Sequence, residues 1–237
     1  IILYLPPFVI GSLSILSFQP YNLVIINFII FPIFFYLLVY INKKSKAIYR
    51  KKPYKQNFFI FGLLFGLGFY ISGISWITNS LTFDENFKIL IPFAFLLVPL
   101  FLSLFTALTV FLVGPYLKLD IPSIIIFSGS LGFSDYLRGK LFTGFPWNLW
   151  AYSASWSVEF LQILNFIGLY AFNLLIITLF IFPAVVFFNT STTKKFFYFI
   201  FTFSIILSLY IYGNYEINKN TRILDNINEK IYVKIVS

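Results

Sequence analysis

Long apolar runs alternate with short polar interruptions from Ile1 to Tyr212, and that rhythm predicts seven transmembrane helices. They fall at approximately 2–18, 22–41, 57–76, 88–113, 119–137, 157–188 and 196–212. A helix needs about 20 apolar residues to cross roughly 30 Å of hydrocarbon. The first run has no basic leading segment and no small-residue cleavage site, so it reads as a span rather than a signal peptide. Between the first two runs lies "SFQPYN", Ser17 to Asn22, where Pro20 and Asn22 favour a reversal and predict an antiparallel helical hairpin. The pattern changes after Gly213. Residues 214–237 mix charges with Asn, and the closing "IYVKIVS" is rich in β-branched residues and reads as a strand. A lone strand is not stable alone. The expected organisation is therefore a membrane domain over 1–213, then a linker and the start of a second, non-membrane domain over 214–237. The chain does not begin with Met, and both of its ends are expected to be cut.

Composition agrees with the pattern. Hydrophobic residues make up 59% and charged residues 11%, where a soluble domain carries about 25% charged residues; the mean hydropathy is +0.89. The fold class is all-α polytopic membrane protein. A net charge of +9 raises the question of nucleic acid, but no nucleic-acid-binding module accompanies it. Seven of the 17 basic residues are gathered in one loop between apolar spans: Lys43, Lys44, Lys46, Arg50, Lys51, Lys52 and Lys55. That is the positive-inside pattern. It puts loop 42–56 and the N-terminus in the cytoplasm, and seven crossings then put the tail after Tyr212 outside. Lys118, Lys194 and Lys195 fall on the cytoplasmic side and agree. The chain has no Cys, no His and no Met. Disulfides, thiolate nucleophiles, Cys/His metal sites and imidazole acid–base chemistry are excluded from these residues, and no metal or cofactor is expected.

Several residues stand out from the apolar background. Trp76, Trp147, Trp150 and Trp156 all come near the outer face, as an aromatic belt or a lipid-handling surface would place them. Asp135 and Arg138 are three apart at the outer end of the fifth span, on one helical face. Charges near a bilayer are costly and pair or mark function, so a structural ion pair and a functional one are both open. Glu159, Gln162, Asn165 and Gly168 form a polar line along the start of the sixth span, suited to interhelical hydrogen bonds or to a polar path. Gly62 and Gly66 make a GxxxG pair that lets two helices approach. Residues alone lead to a seven-span membrane domain with a specialised outer face.

Motif order adds a resemblance. "SDYLRGKLFTGFPWNLWAYS", Ser134 to Ser153, resembles the apolipoprotein N-acyltransferase pattern of an acidic residue, an aromatic, Leu-Arg-Gly and then Thr-Gly-Phe-Pro-Trp. Asp135 replaces the usual Glu, and Tyr136 stands where Trp is frequent. "LSFQPYNL", "GLGFYISGISWITNSL" and "LNFIGLYAFNLL" resemble further segments of that family in the same order, and "IYVKIVS" resembles the first strand of its nitrilase-like domain. The resemblance implies a bacterial cytoplasmic (inner) membrane protein. Its family moves an acyl chain from a phosphatidylethanolamine-like phospholipid to the amino group of a diacylglyceryl-cysteine that begins an apolipoprotein. It implies no catalytic residue within this chain, because the Glu, Lys and Cys triad is expected downstream of Ser237. It also implies substrate-side roles for Gly144, Phe145, Pro146, Trp147, Tyr152, Trp76, Asp135 and Arg138, with Arg138 or Lys140 meeting a phosphate. A transporter or channel built on Asp135, Arg138 and the polar line is the alternative, and a non-catalytic membrane scaffold is another.

Overall fold

The computed structural model describes residues 4–48, 54–142 and 144–225, and those residues form helices and turns with no strand among them. The main helices are α1 (Leu5–Ser14), α2 (Asn27–Ile48), α3 (Lys55–Ile74), α4 (Ile91–Val113), α5 (Ile121–Arg138), α6 (Val158–Leu161), α7 (Leu164–Ile181) and α8 (Thr192–Asp225). Among the described residues, five helical stretches are long and apolar enough to cross a membrane: Val24–Ile48, Lys55–Thr82, Glu85–Tyr116, Leu164–Phe187 and Thr192–Asp225. The chain is a multi-pass membrane protein. Two expected spans fall short of that measure. Leu5–Ser17 is a shorter apolar helix, and α5 carries Ser123, Ser128, Ser130, Ser134, Asp135 and Arg138 within its 18 residues.

The bundle is built on α3, which packs between α1 and α4; α5 joins α4 to α7, and α7 joins α5 to α2. Small residues set the first two contacts. Gly62 of α3 lies against Ala107 of α4 and Gly66 lies against Ser103, so the GxxxG pair does meet a partner helix. On the opposite side Gly68 faces the carbonyl oxygen of Phe8, and Gly11 of α1 faces the carbonyl oxygen of Phe65. Helices α1 and α3 run parallel, because Tyr4 meets Asn57 and Phe61 at one end while Ile15 meets Gly73 at the other. Lys55, at the start of α3, therefore shares an end of the bundle with Tyr4. The hairpin tip, Gly73 and Asn148 share the other.

Local chemistry explains several boundaries. Asp120 caps α5 by accepting from the Ser123 N–H at 2.9 Å, with Pro122 in the first turn. The hairpin after α1 turns at "SFQPYN" as expected, with a cis Gln19–Pro20 bond, and Asn27 Nδ2 donates to Ser17 Oγ at 2.6 Å to join its two arms. The core is aromatic: Phe31, Phe34, Phe35, Phe58, Phe127 and Phe172 are fully buried.

Three expectations need correction. The sixth span is not one helix from 157 to 188. A short α6 precedes a turn, and Gly168 then adopts φ 76° and ψ 169° inside α7, a left-handed conformation open to glycine because it has no Cβ. Glu159, Gln162, Asn165 and Gly168 thus do not share one continuous helical face. The seventh helix does not stop at Tyr212, because α8 continues to Asp225 through part of the expected linker. Its polar end is helical because no proline interrupts it and because Asn218 Nδ2 donates to Asn214 Oδ1 one turn away at 2.8 Å. Trp150 is not a belt residue. It is 6% exposed, stacked on Phe69 at 4.3 Å and edge-on to Phe31 at 4.7 Å. The expected strand, 231–237, lies outside the described residues.

Candidate functional site

The end of α5 and the loop after it form one hydrogen-bonded unit. Arg138 is 1% exposed. Its Nη1 donates to the carbonyl oxygens of Phe145 and Trp147, both at 2.7 Å. Its Nη2 donates to Asp135 Oδ1 at 3.2 Å, and the guanidinium lies 5.4 Å from the centre of the Tyr70 ring. The Phe145 N–H donates back to the Arg138 carbonyl at 2.9 Å. One planar cation with several fixed donors can hold two carbonyls and a carboxylate together, which a lysine ammonium cannot match in geometry.

Asp135 has a second partner. Asn173 Nδ2 donates to Asp135 Oδ2 at 2.8 Å, while the Ala151 N–H donates to Asn173 Oδ1 at 3.0 Å. The chain of contacts therefore runs from the loop carbonyls through Arg138, Asp135 and Asn173 to the backbone beside Trp150. It ties α5, α7 and both ends of the loop into one frame. Asp135 is also buried, so the pair costs less free energy together than either charge would alone.

The loop itself is shaped by three positive-φ residues, Phe142 (52°), Gly144 (78°) and Asn148 (56°). A side chain on Gly144 would meet the Gly139 carbonyl oxygen, so this position needs glycine for space as well as for conformation. Asn148 Nδ2 donates to the Gly73 carbonyl at 3.4 Å, fastening the loop to the end of α3. Held in this way, Trp147 stays 55% exposed and meets Trp76 edge-on with ring centres 5.8 Å apart.

Two hollows flank the loop. On one side a cavity of about 710 Å³ lies between the hairpin tip, the end of α3 and the loop, with Gln19, Tyr21, Ser75, Trp76, Trp147 and Tyr152 in its wall. Burial pushes the Tyr152 phenol up from its ordinary value, and the neighbouring Tyr170 acts in the same direction. On the other side an apolar groove of about 510 Å³ runs between α4 and α5. A smaller space of about 180 Å³ continues it beneath Gly144 and Phe145, beside Arg138. No group of three or more His, Cys, Asp or Glu suited to a metal ion occurs among the described residues.

Residues 10–182 match the family defined by the Apolipoprotein N-acyltransferase N-terminal domain. The chain belongs to the apolipoprotein N-acyltransferase family. Proteins named apolipoprotein N-acyltransferase from Rhodopseudomonas palustris, Bradyrhizobium diazoefficiens and Brucella melitensis are 30%, 33% and 30% identical to it. The matches cover 93%, 73% and 76% of this chain but 41%, 32% and 34% of those relatives. The chain thus spans less than half the length of the relatives it matches.

Against that family the structure sorts the residues singled out in the sequence. Gly144, Phe145, Pro146, Trp147, Arg138 and Asp135 come together in one loop and its support, and Trp76 and Tyr152 border the adjoining cavity. Arg138 faces inward with both terminal nitrogens engaged, so it is not placed to meet a phosphate, while Lys140 is exposed. Asn173 was not singled out. An Asn midway along a largely apolar helix was the available signal, since such a residue needs a polar partner.

Proposed function

We propose that the chain is the membrane-embedded, substrate-holding part of an apolipoprotein N-acyltransferase. In this reading it spans the bacterial cytoplasmic membrane seven times, with the N-terminus in the cytoplasm and the end of α8 on the periplasmic side. The donor is a phosphatidylethanolamine-like phospholipid and the acceptor is the amino group of a lipoprotein's diacylglyceryl-cysteine. The family resemblance assigns the chemistry to a Glu, Lys and Cys triad beyond Ser237. A thiolate attacks the ester carbonyl, the acyl–oxygen bond breaks and a lysophospholipid leaves with the proton on its oxygen. The amine then attacks the thioester, the carbon–sulfur bond breaks with the sulfur leaving as thiolate, the Glu takes the proton lost by the amine, and an amide forms. This divides one high barrier into two lower ones.

The observation that carries the reading is the fixed position of the Phe145–Trp147 segment. Arg138 holds it from beneath while Trp147 is left open beside a cavity of mixed polar and apolar lining, and an apolar groove reaches the loop at Leu141 and Phe142 on the other flank. A reaction between two lipids gains most from groups that hold head and chain in register, because the entropy of the encounter is then already reduced. The tail-side location of the loop suits a reaction above the outer leaflet.

The test uses a diacylglyceryl lipopeptide and phosphatidylethanolamine in mixed micelles, with mass spectrometry of the lipopeptide. The 237 residues, which contain no Cys, are expected to give no triacylated product, and the polypeptide extended through its downstream residues is expected to give it. Product from the 237 residues alone, or none from the extended polypeptide, overturns the proposal. In the extended polypeptide, Trp147→Ala is expected to slow transfer with unchanged protein abundance. Wild-type rates of acyl-enzyme formation and transfer would remove Trp147 from the substrate wall.

A further inference from the structure

The groove between α4 and α5 has features that a lipid-facing seam does not require. Its walls are Phe101, Leu104, Leu108 and Leu112 from α4 with Phe133 and Leu137 from α5. Two of the three hydroxyls that line it, those of Thr109 and Ser134 but not that of Ser130, are already engaged. Thr109 Oγ1 donates to the Phe105 carbonyl at 2.9 Å and Ser134 Oγ donates to the same oxygen at 3.0 Å. With Ser130 the one hydroxyl of the lining outside those bonds and the rest of the wall mostly Phe and Leu, the groove suits an aliphatic ligand. The volume of about 510 Å³ falls in the range of roughly 300–1,000 Å³ found for small-molecule sites.

Length identifies the occupant more closely. Phe101 to Leu112 covers about 17 Å of α4 at the helical rise of about 1.5 Å per residue. One leaflet is about half of a roughly 30 Å hydrocarbon core, or about 15 Å. The groove is therefore as long as one acyl chain in one leaflet and too short for a second transmembrane helix. Its loop end is also bridged. The Phe142 ring lies edge-on to Phe101, with centres 5.5 Å apart, and Phe142 holds φ 52°, a costly conformation for a bulky residue. A helix running past the end of α5 would collide with that bridge, whereas a flexible chain can pass beneath it. Beneath it lies the small space walled by Phe145 and Arg138, which shares Phe101, Phe105, Leu141 and Phe142 with the groove. Lys140, exposed and next in sequence to the rim residue Leu141, supplies positive charge at the same end.

We propose that the α4–α5 groove is a binding site for one acyl chain of a phospholipid, with the lipid phosphate held at Lys140 and the Phe101–Phe142 pair at its loop end. Assigning that lipid as the acyl donor rests on the acyltransferase reading; occupancy of the groove does not. The site connects the bilayer directly to the segment that Arg138 fixes.

The experiment places the chain in phosphatidylcholine nanodiscs doped with a phosphatidylethanolamine that carries a photoactivatable diazirine on one acyl chain. After illumination the labelled peptides are mapped by mass spectrometry. Label on residues 101–112 and 133–142 is expected to exceed that on the apolar face of α8, which samples bulk lipid. Leu108→Trp fills the groove and is expected to lose most of the groove label while α8 labelling stays unchanged; Leu104→Trp serves the same purpose if Leu108→Trp fails to fold. Lys140→Gln is expected to lower labelling by the phospholipid by at most about five-fold, since a lysine near an anionic surface is worth about 1 kcal/mol and the phosphate of a zwitterionic headgroup attracts it less. It should not change labelling by a diacylglycerol with the same diazirine chain. Groove label no higher than on α8, or full label retained in a folded Leu108→Trp or Leu104→Trp protein, overturns the proposal. Covalent dimers through α4 in place of lipid adducts would overturn it in favour of a second copy. Acyl transfer is not read in this assay, so a labelled groove in an inactive extended polypeptide would sink the acyltransferase reading alone.

Discussion

Arg138→Ala is expected to destabilise the folded protein by about 3–5 kcal/mol, the cost of leaving a buried carboxylate without its ionic partner. Three losses coincide. Asp135 keeps only Asn173, and the carbonyls of Phe145 and Trp147 lose their donor. The guanidinium volume beneath the loop is also emptied, although it is among the largest fully buried side chains. Arg138→Lys keeps the charge but not the planar fork, and an intermediate loss is expected. Replacing both partners together, as Asp135→Leu with Arg138→Leu, should recover part of the stability because no charge is then stranded. It should not restore the loop, which would still lack its donor. Thermal unfolding in detergent reads the first effect and limited chymotrypsin cleavage at Phe142 or Trp147 reads the second. An Arg138→Ala protein with wild-type unfolding and an intact loop would show that the network is ornamental.

Gly68→Val is the second large effect expected. A side chain there would collide with the Phe8 carbonyl oxygen, and Gly11 places the same constraint on Phe65 from the other side. Both obstacles are backbone, so no rotamer change relieves them, and α1 must move away from α3. Overpacking of this kind costs about 1–3 kcal/mol, occasionally more. Helix α1 has little other support, being ten residues long, so separation should release it along its length. Amide exchange over residues 5–14 is expected to rise sharply while α4 to α7 keep their protection. Unchanged exchange in α1 would refute the account.

These two sites show what the sequence could and could not convey. The i,i+3 spacing of Asp135 and Arg138 was enough to predict their pairing, and GxxxG was enough to predict a close helix contact. Neither could show that Arg138 reaches forward to two loop carbonyls, because a backbone acceptor leaves no mark on residue identity. Trp150 and Trp147 look alike as tryptophans three apart. Only the turn between them, with Asn148 at positive φ, sends one into the core and leaves the other at the surface. Gly168 was visible as one glycine in an apolar run, which helices tolerate, so the break in α7 was not. The end of the seventh helix is hidden from the sequence for a different reason. Hydropathy reports where the hydrocarbon stops, and a helix can continue past that point.

That continuation has a mechanical consequence. Residues 214–225 extend α8 by about 18 Å at the helical rise of about 1.5 Å per residue, beyond its apolar run. Gly213, where the extension begins, lies against the carbonyl oxygen of Glu159 and fixes the helix at its base. Such a stalk transmits both height and rotational phase. Inserting one alanine between Asn214 and Asp225 would raise whatever follows by about 1.5 Å and turn it by about 100°, whereas four would raise it about 6 Å and nearly restore its direction. The membrane bundle therefore acts as an angular reference for the chain that leaves it.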